Sequence, residues 1–201
     1  MRGHLRVILL TFIAVSASCV RAAPVVYTES VLAQGSLGTQ EFYNLPLVLM
    51  LFADTANVVP SPSFPGDLQN IGSSATVQIS GIGSAAFTGQ IGAFVDRTSL
   101  AGSGIGVVGI TDLTVNLDIL DTFSPAFLSY DLASSIGPIT GLAFINLTRH
   151  FGTTAGDLVL QNVGGPSTFL ASVAVPEPET FMMLAIGLGL LCCAKRRSQH
   201  P

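Results

Sequence analysis

The sequence predicts an all-β domain, an antiparallel β-sandwich of jelly-roll or Ig-like kind, set between two targeting segments. Three observations carry this. Apolar and polar residues alternate with a period of two, and short runs of β-formers recur between Gly- and Pro-rich breaks. Apolar stretches at both ends are flanked by basic residues that the middle almost lacks. The 201 residues therefore divide into 1–22, a signal peptide; 23–174, the β-domain; and 175–201, a second targeting segment with an apolar helix.

Residues 1–22 have the three parts of a secretory signal. Arg2 and Arg6 give a positive start, Val7 to Val15 an apolar core, and Val20-Arg21-Ala22 a small residue at the cleavage position with valine two before it. Cleavage is expected after Ala22, which leaves Ala23 as the new N-terminus, because cutting after Ala23 would put Pro24 at the scissile bond. Cys19 is a poor lipidation site, since Ser16-Ala17-Ser18 lacks an aliphatic residue three before it. A leader of this kind implies passage through the Sec translocon.

The middle reads as strands. From Ala75 to Val95 the odd positions include Val77, Ile79, Ala85, Phe87, Ile91 and Ala93, while Thr76, Gln78, Ser80, Ser84, Thr88 and Gln90 fill even ones. That stretch is too long for one strand, so a hairpin turn or bulge is expected at glycines in 81–83 or 89–92. Phe94 breaks the alternation and points to a bulge close by. A second alternating run covers Thr111 to Leu120, with Asp112 and Asp118 on one face, six residues and about 20 Å apart. Further strands are expected at 25–33, 45–52, 127–132, 139–147, 157–162 and 168–173, with no helix between them.

Charge narrows the function classes. Between Pro24 and Ala174 ten acidic residues face only Arg97 and Arg149, with no lysine, for a net of about −8. Such a domain is a poor match for phosphate backbones, so nucleic acid is excluded as a partner. No cysteine lies in the middle, so neither disulfides nor thiolate metal ligands support it. Gly104, Gly106 and Gly109 spell GxGxxG, and Gly81, Gly83 and Ala86 spell GxGxxA. Both sit among strand residues, without the following helix that a dinucleotide site requires.

No catalytic constellation is legible, and a non-enzyme is expected. His150, the one histidine between the targeting segments, has no serine in a GxSxG context and reads as a loop residue. Asp112 and Asp118 on one strand would be too far apart for an acid–base pair, so a hydrolase would need carboxylates that converge only in three dimensions. No cofactor or metal site is assigned. Calcium is the one ion with a candidate set, Asp118 and Asp121 with Asn116 nearby, where a strand enters a loop. Tyr27, Phe42, Tyr43, Phe64 and Tyr130 are the aromatics available to stack on sugar rings.

The C-terminal 27 residues carry the most specific signal. Val175-Pro176-Glu177-Pro178 is followed by Thr180, then by an uncharged run from Phe181 to Ala194, then by Lys195, Arg196 and Arg197. Pro176 and Pro178 fix φ and remove two backbone donors, which keeps the box extended. The run of 14 residues makes a helix of about 21 Å, short of the roughly 30 Å hydrocarbon core, so it suits a temporary hold. The basic cluster holds that end on the cytoplasmic side.

Part by part this resembles the PEP-CTERM sorting signal of exosortase substrates. The resemblance implies export by a Gram-negative bacterium to the cell surface or beyond, with exosortase as a partner and a transient inner-membrane anchor. It also implies association with exopolysaccharide, hence a structural or adhesive role in a biofilm matrix; the alternative that the acidic and aromatic residues leave open is a calcium-assisted carbohydrate-binding module. The ending Ser198-Gln199-His200-Pro201 departs slightly from tails that close on arginine.

Overall fold

The computed structural model describes residues 22–62, 66–100, 103–147 and 149–174. The signal helix, the C-terminal apolar helix, the sorting residues Val175, Pro176, Glu177, Pro178 and Thr180, and the basic cluster Lys195, Arg196 and Arg197 lie outside them. Among the described residues the chain forms thirteen strands. In order they are β1 (Pro24–Leu37), β2 (Gln40–Asp54), β3 (Val58–Pro60), β4 (Leu68–Ile71), β5 (Ser74–Ile79), β6 (Gly83–Ala86) and β7 (Ile91–Leu100). There follow β8 (Ile105–Asp112), β9 (Leu117–Ser124), β10 (Ile136–Phe144), β11 (His150–Phe151), β12 (Leu158–Val163) and β13 (Ser167–Val173).

The antiparallel all-β class is as expected, but the strands do not separate into two stacked sheets. They form one continuous curled sheet in the order β3-β4-β7-β8-β9-β10-β13-β1-β2-β5-β6. β10 makes the curl possible: Ile136–Gly141 pairs with β13, and Leu142–Phe144 pairs with β9. β1 is similarly shared, with Val25–Ser30 on β13 and Ala33–Leu37 on β12, while β2 follows its other edge throughout.

At one end the sheet closes on itself. Phe87 bridges Thr153, Thr88 donates its amide to the Gly152 carbonyl at 3.0 Å, and Thr154 donates to Ala86 at 2.8 Å. That joins β6 to the segment running out of β11, which pairs with β12 and so returns to β1. Phe42, Leu47, Ile79, Phe151, Leu158 and Leu160 are buried in these strands. Two glycines permit the closure. Gly38, at φ +59°, makes the tight turn from β1 to β2, and Gly35 lets β12 approach, since a Cβ there would lie 2.0 Å from the Val159 carbonyl oxygen. The other half of the core is aromatic: Phe127 and Tyr130 meet Phe169 edge-on at 5.6 and 5.9 Å, and Tyr27 stacks on it at 6.2 Å.

Two expectations are corrected. The run 111–120 is a hairpin, because Asn116 takes a left-handed backbone at φ +53° and the Asp112 carboxylate caps the Thr114 amide at 2.8 Å. Asp118 therefore faces Thr111 across the ladder, and Asp112 and Asp118 are near neighbours. The segment 127–132 is no strand. Ser124 caps a 3-10 turn at Pro125–Ser129 that drives Phe127 into the core. The irregularity expected near Phe94 is present close by, where the β7–β8 register shifts between Asp96 and Leu100, while Phe94 itself pairs with Gly109 and covers it. The 75–95 stretch does turn where expected, at Gly81 (φ +77°) and Gly83 (φ +139°), and it breaks again at 88–90.

Gly35→Ala tests the closure. Backbone on β12 cannot yield as a side-chain tip can, so a loss of about 2–3 kcal/mol is expected. A urea midpoint that falls with an unchanged m-value would verify it; an unchanged midpoint would show that β12 does not press on β1.

Candidate functional site

Register places carboxylates together on the outer face of the curled sheet. β4 pairs with β7 with Leu68 opposite Val95, which sets Asp67 against Asp96. Phe94 lies opposite Gly109, Gly109 opposite Asp121, and Thr111 opposite Asp118. The β8–β9 turn folds Leu113 and Asn116 over the same face, and Ser61 and Gln69 complete a cleft of about 180 Å³. Carboxylates from three distant stretches thus converge beside one aromatic ring, two amides and two hydroxyls.

Their surroundings keep protons on. Asp67 is buried, and burial, then the facing Asp96 carboxyl with which it shares a hydrogen bond, push it up to about 6. The Arg97 amide and Thr98 hydroxyl pull it the other way. Asp96 is braced by the Thr98 amide at 2.7 Å, and the Arg97 guanidinium holds the Gly66 carbonyl at 3.0 Å, fixing the turn before Asp67. Burial also raises Asp118, with the Thr111 hydroxyl opposing. Asp121 lies across Gly109 next to the Phe94 ring. Burial raises it well above the carboxylate range, and its Oδ1 finds no hydrogen-bond partner among the described residues.

The calcium set is therefore divided. Asp118 and Asn116 line the cleft, while Asp121 is buried at its edge. Among the described residues no group of three or more His, Cys, Asp and Glu is placed to hold a metal ion. What the cleft offers is donors and acceptors for a hydroxyl-rich surface, with Phe94 as an apolar wall.

The other candidates are scattered. His150 is exposed and pairs through Nδ1 with Asp157 at 3.0 Å. Tyr27, Phe42 and Tyr130 are core residues, whereas Tyr43 is exposed and donates to Glu41 at 3.0 Å; Phe64 lies outside the described residues. Gly104 turns and Gly106 and Gly109 lie within β8, so the GxGxxG is strand and turn glycine. Ala22 is exposed and Ala23 buried, its amide donating to Thr55 Oγ1 at 3.0 Å. Sequence reasoning missed Asp67 and Asp96, since nothing local to either announces the β4–β7 register.

By fold this is an antiparallel β-domain with an acidic cleft on its outer face. Its ending is more specific. A family model for the PEP-CTERM protein-sorting motif matches residues 174–197. The chain thus carries a PEP-CTERM sorting motif, which marks it for export, transient membrane anchoring and processing by exosortase. No curated protein and no solved structure matches it. Among the described residues no helix is long and apolar enough to cross a membrane.

The carboxyl pair sets a pH dependence. Asp67 binds its proton more tightly folded than unfolded, so its contribution to stability is present at low pH and is lost as pH rises from about 4 through about 6. Glu29 and Asp121, also raised, extend the fall upward. Asp67→Asn keeps a donor to Asp96 without a proton to lose. Its urea midpoint is expected to match the wild type at pH 4.5 and exceed it at pH 7.5. Parallel pH profiles would show that the two carboxyls do not share a proton.

Proposed function

We propose that the chain is a non-enzymatic surface or extracellular protein with a structural or adhesive role in the polysaccharide matrix of a Gram-negative bacterium. The observation that carries this is adjacency. β13 ends at Val173 and the sorting motif starts at residue 174, so the cargo delivered by the motif is this densely packed β-domain. The absence of lysine from 24–174 suits a domain that does not seek nucleic acid. Intact-mass analysis of protein from the host's surface and medium is the test. Loss of residues 1–22 and of the tail from near Pro178 is expected, together with a weakened matrix on deletion. A full C-terminus kept in the membrane would make this an ordinary tail-anchored protein.

A second reading, a carbohydrate-binding module assisted by calcium, draws on the cleft. Phe94 beside Gln69, Asn116 and carboxylates is a set that suits the edge of a sugar ring. Titration with the host's own polysaccharide is expected to saturate without chelator and to weaken with it, and Gln69→Ala with Asp96→Asn should weaken binding at least about tenfold, or 1.4 kcal/mol. No saturable binding would leave the purely structural role. Release of reducing ends in the same mixture would favour a hydrolase instead. Asp67 and Asp96, in hydrogen-bond contact, are closer than the roughly 5 to 9.5 Å of glycosidase pairs.

A further inference from the structure

The folded domain stops almost at the sorting box. Six residues, Val175 to Thr180, separate Ala174 from the apolar run at Phe181. Fully extended they span about 20 Å. Whatever reads Val175 to Pro178 in the membrane therefore works within a few residues of folded protein.

What it meets there is well defined. The Ala174 amide donates to the Pro24 carbonyl at 2.8 Å, and the Val173 amide donates to Ser135 Oγ at 2.9 Å. Pro24 follows Ala23, whose carbonyl accepts the Thr55 amide at 2.9 Å and whose amide donates to Thr55 Oγ1. The exit of the tail is thus flanked on one side by the 3-10 turn Thr55–Asn57 and on the other by the loop 131–135. Ala56, Asn57, Ala133 and Ser134 are exposed on these two flanks. Asp131 keeps its charge despite partial burial, because the Ser134 hydroxyl and the Ala133 and Ser134 amides donate to it. Neither Arg97 nor Arg149 lies on these segments, so the rim is not suited to an anionic bilayer. A protein surface is the better occupant.

We propose that the rim formed by Ala56, Asn57, Ala133 and Ser134 is the surface on which the membrane-embedded tail-processing enzyme seats while it reads the box. This rests on exosortase processing. Anchoring Ala174 to Pro24 and Val173 to Ser135 fixes the direction in which the chain leaves the sheet, which lowers the orientational cost of presenting the box.

The full-length protein in its native host tests this, with tail-bearing and tail-free chains counted by mass in a pulse-chase. Ala56→Trp with Ala133→Trp adds bulk to both flanks without touching the core, and should slow tail removal about tenfold. An eight-residue Gly/Ser insertion between Ala174 and Val175 should restore the rate by moving the rim away from the box. An unchanged rate in the double variant overturns the proposal, as does slowing that persists with the insertion, which marks a folding or export defect. Binding of the tail-free domain to phosphatidylglycerol vesicles, lost in the double variant, would assign the rim to lipid and overturn it too. A wild-type chain that never loses its tail is a separate result, and refutes the processing itself.

Discussion

Two polar side chains on β1, Tyr27 and Glu29, reach into the core, and the curl of the sheet brings each of them a hydrogen-bond partner. Glu29 is fully buried and accepts a hydrogen bond from the Thr122 hydroxyl at 2.6 Å. Thr122 is on β9, three ladder steps from β1 through β13 and β10. In a flat sheet those strands stand about 14 Å apart, far beyond the reach of this pair. Only a tight curl lets the two meet, with Ser167 Oγ 2.7 Å from the Thr122 hydroxyl in the same cluster. Burial, then the Thr122 bond working against it and the Asp121 carboxyl working with it, leave Glu29 well above the carboxylate range. Burial thus favours its neutral form, which avoids the several kcal/mol of an unpaired buried charge. Tyr27 makes the companion tie, donating to the Leu132 carbonyl and accepting from Asn70 Nδ2 at 2.7 Å, so that β4 and the 131–135 loop close over the same strand.

The curl in turn decides how the outer face is built. No helix covers it among the described residues, so its buried polar groups are shielded by side chains lying along the sheet. Phe94 and the Asp121 carboxyl share the space above Gly109, where a Cβ would come within 2.2 Å of Asp121 Oδ1. An aromatic over a strand glycine restores packing that the glycine lacks. The sheet edges are handled without lysine. β3 carries Pro60, which has no amide to offer, and β6 is covered where 86–88 meets 152–154. Leu142 and Phe144, 72% and 49% exposed, are left at the open end of β10.

Much of this was legible in the sequence where one face is wet and the other buried. Strands were expected at all of β1, β2, β12 and β13; β1 alternates along its length and β2 over Pro46–Phe52, and β1 runs on to Leu37 while β2 begins at Gln40. Period alone failed at Thr111 to Leu120, because a hairpin whose arms both alternate looks like one strand until a turn residue such as Asn116 is weighed. It failed again at Phe127 to Leu132, where apolar content stood in for pattern and the Ser124-Pro125 start signal was passed over. Whether the strands stack as two sheets or curl as one could not be judged, since strands such as β10 that serve two neighbours in succession leave no local mark. The cleft was hidden for the same reason. Asp67 and Asp96 are 29 positions apart, and only the β4–β7 register brings them together.

The end of β13 shows how fold and signal share one stretch of chain. A strand with a free end tends to extend its ladder as long as partners and donors remain. Past Val173 the partners run out, with β1 beginning at Pro24 and β10 at Ile136. Past Ala174 donors thin out as well, because Pro176 and Pro178 have no amide hydrogen to give. By its composition the box is a poor continuation of the ladder. A sorting motif can thus start at residue 174, directly after β13 ends at Val173.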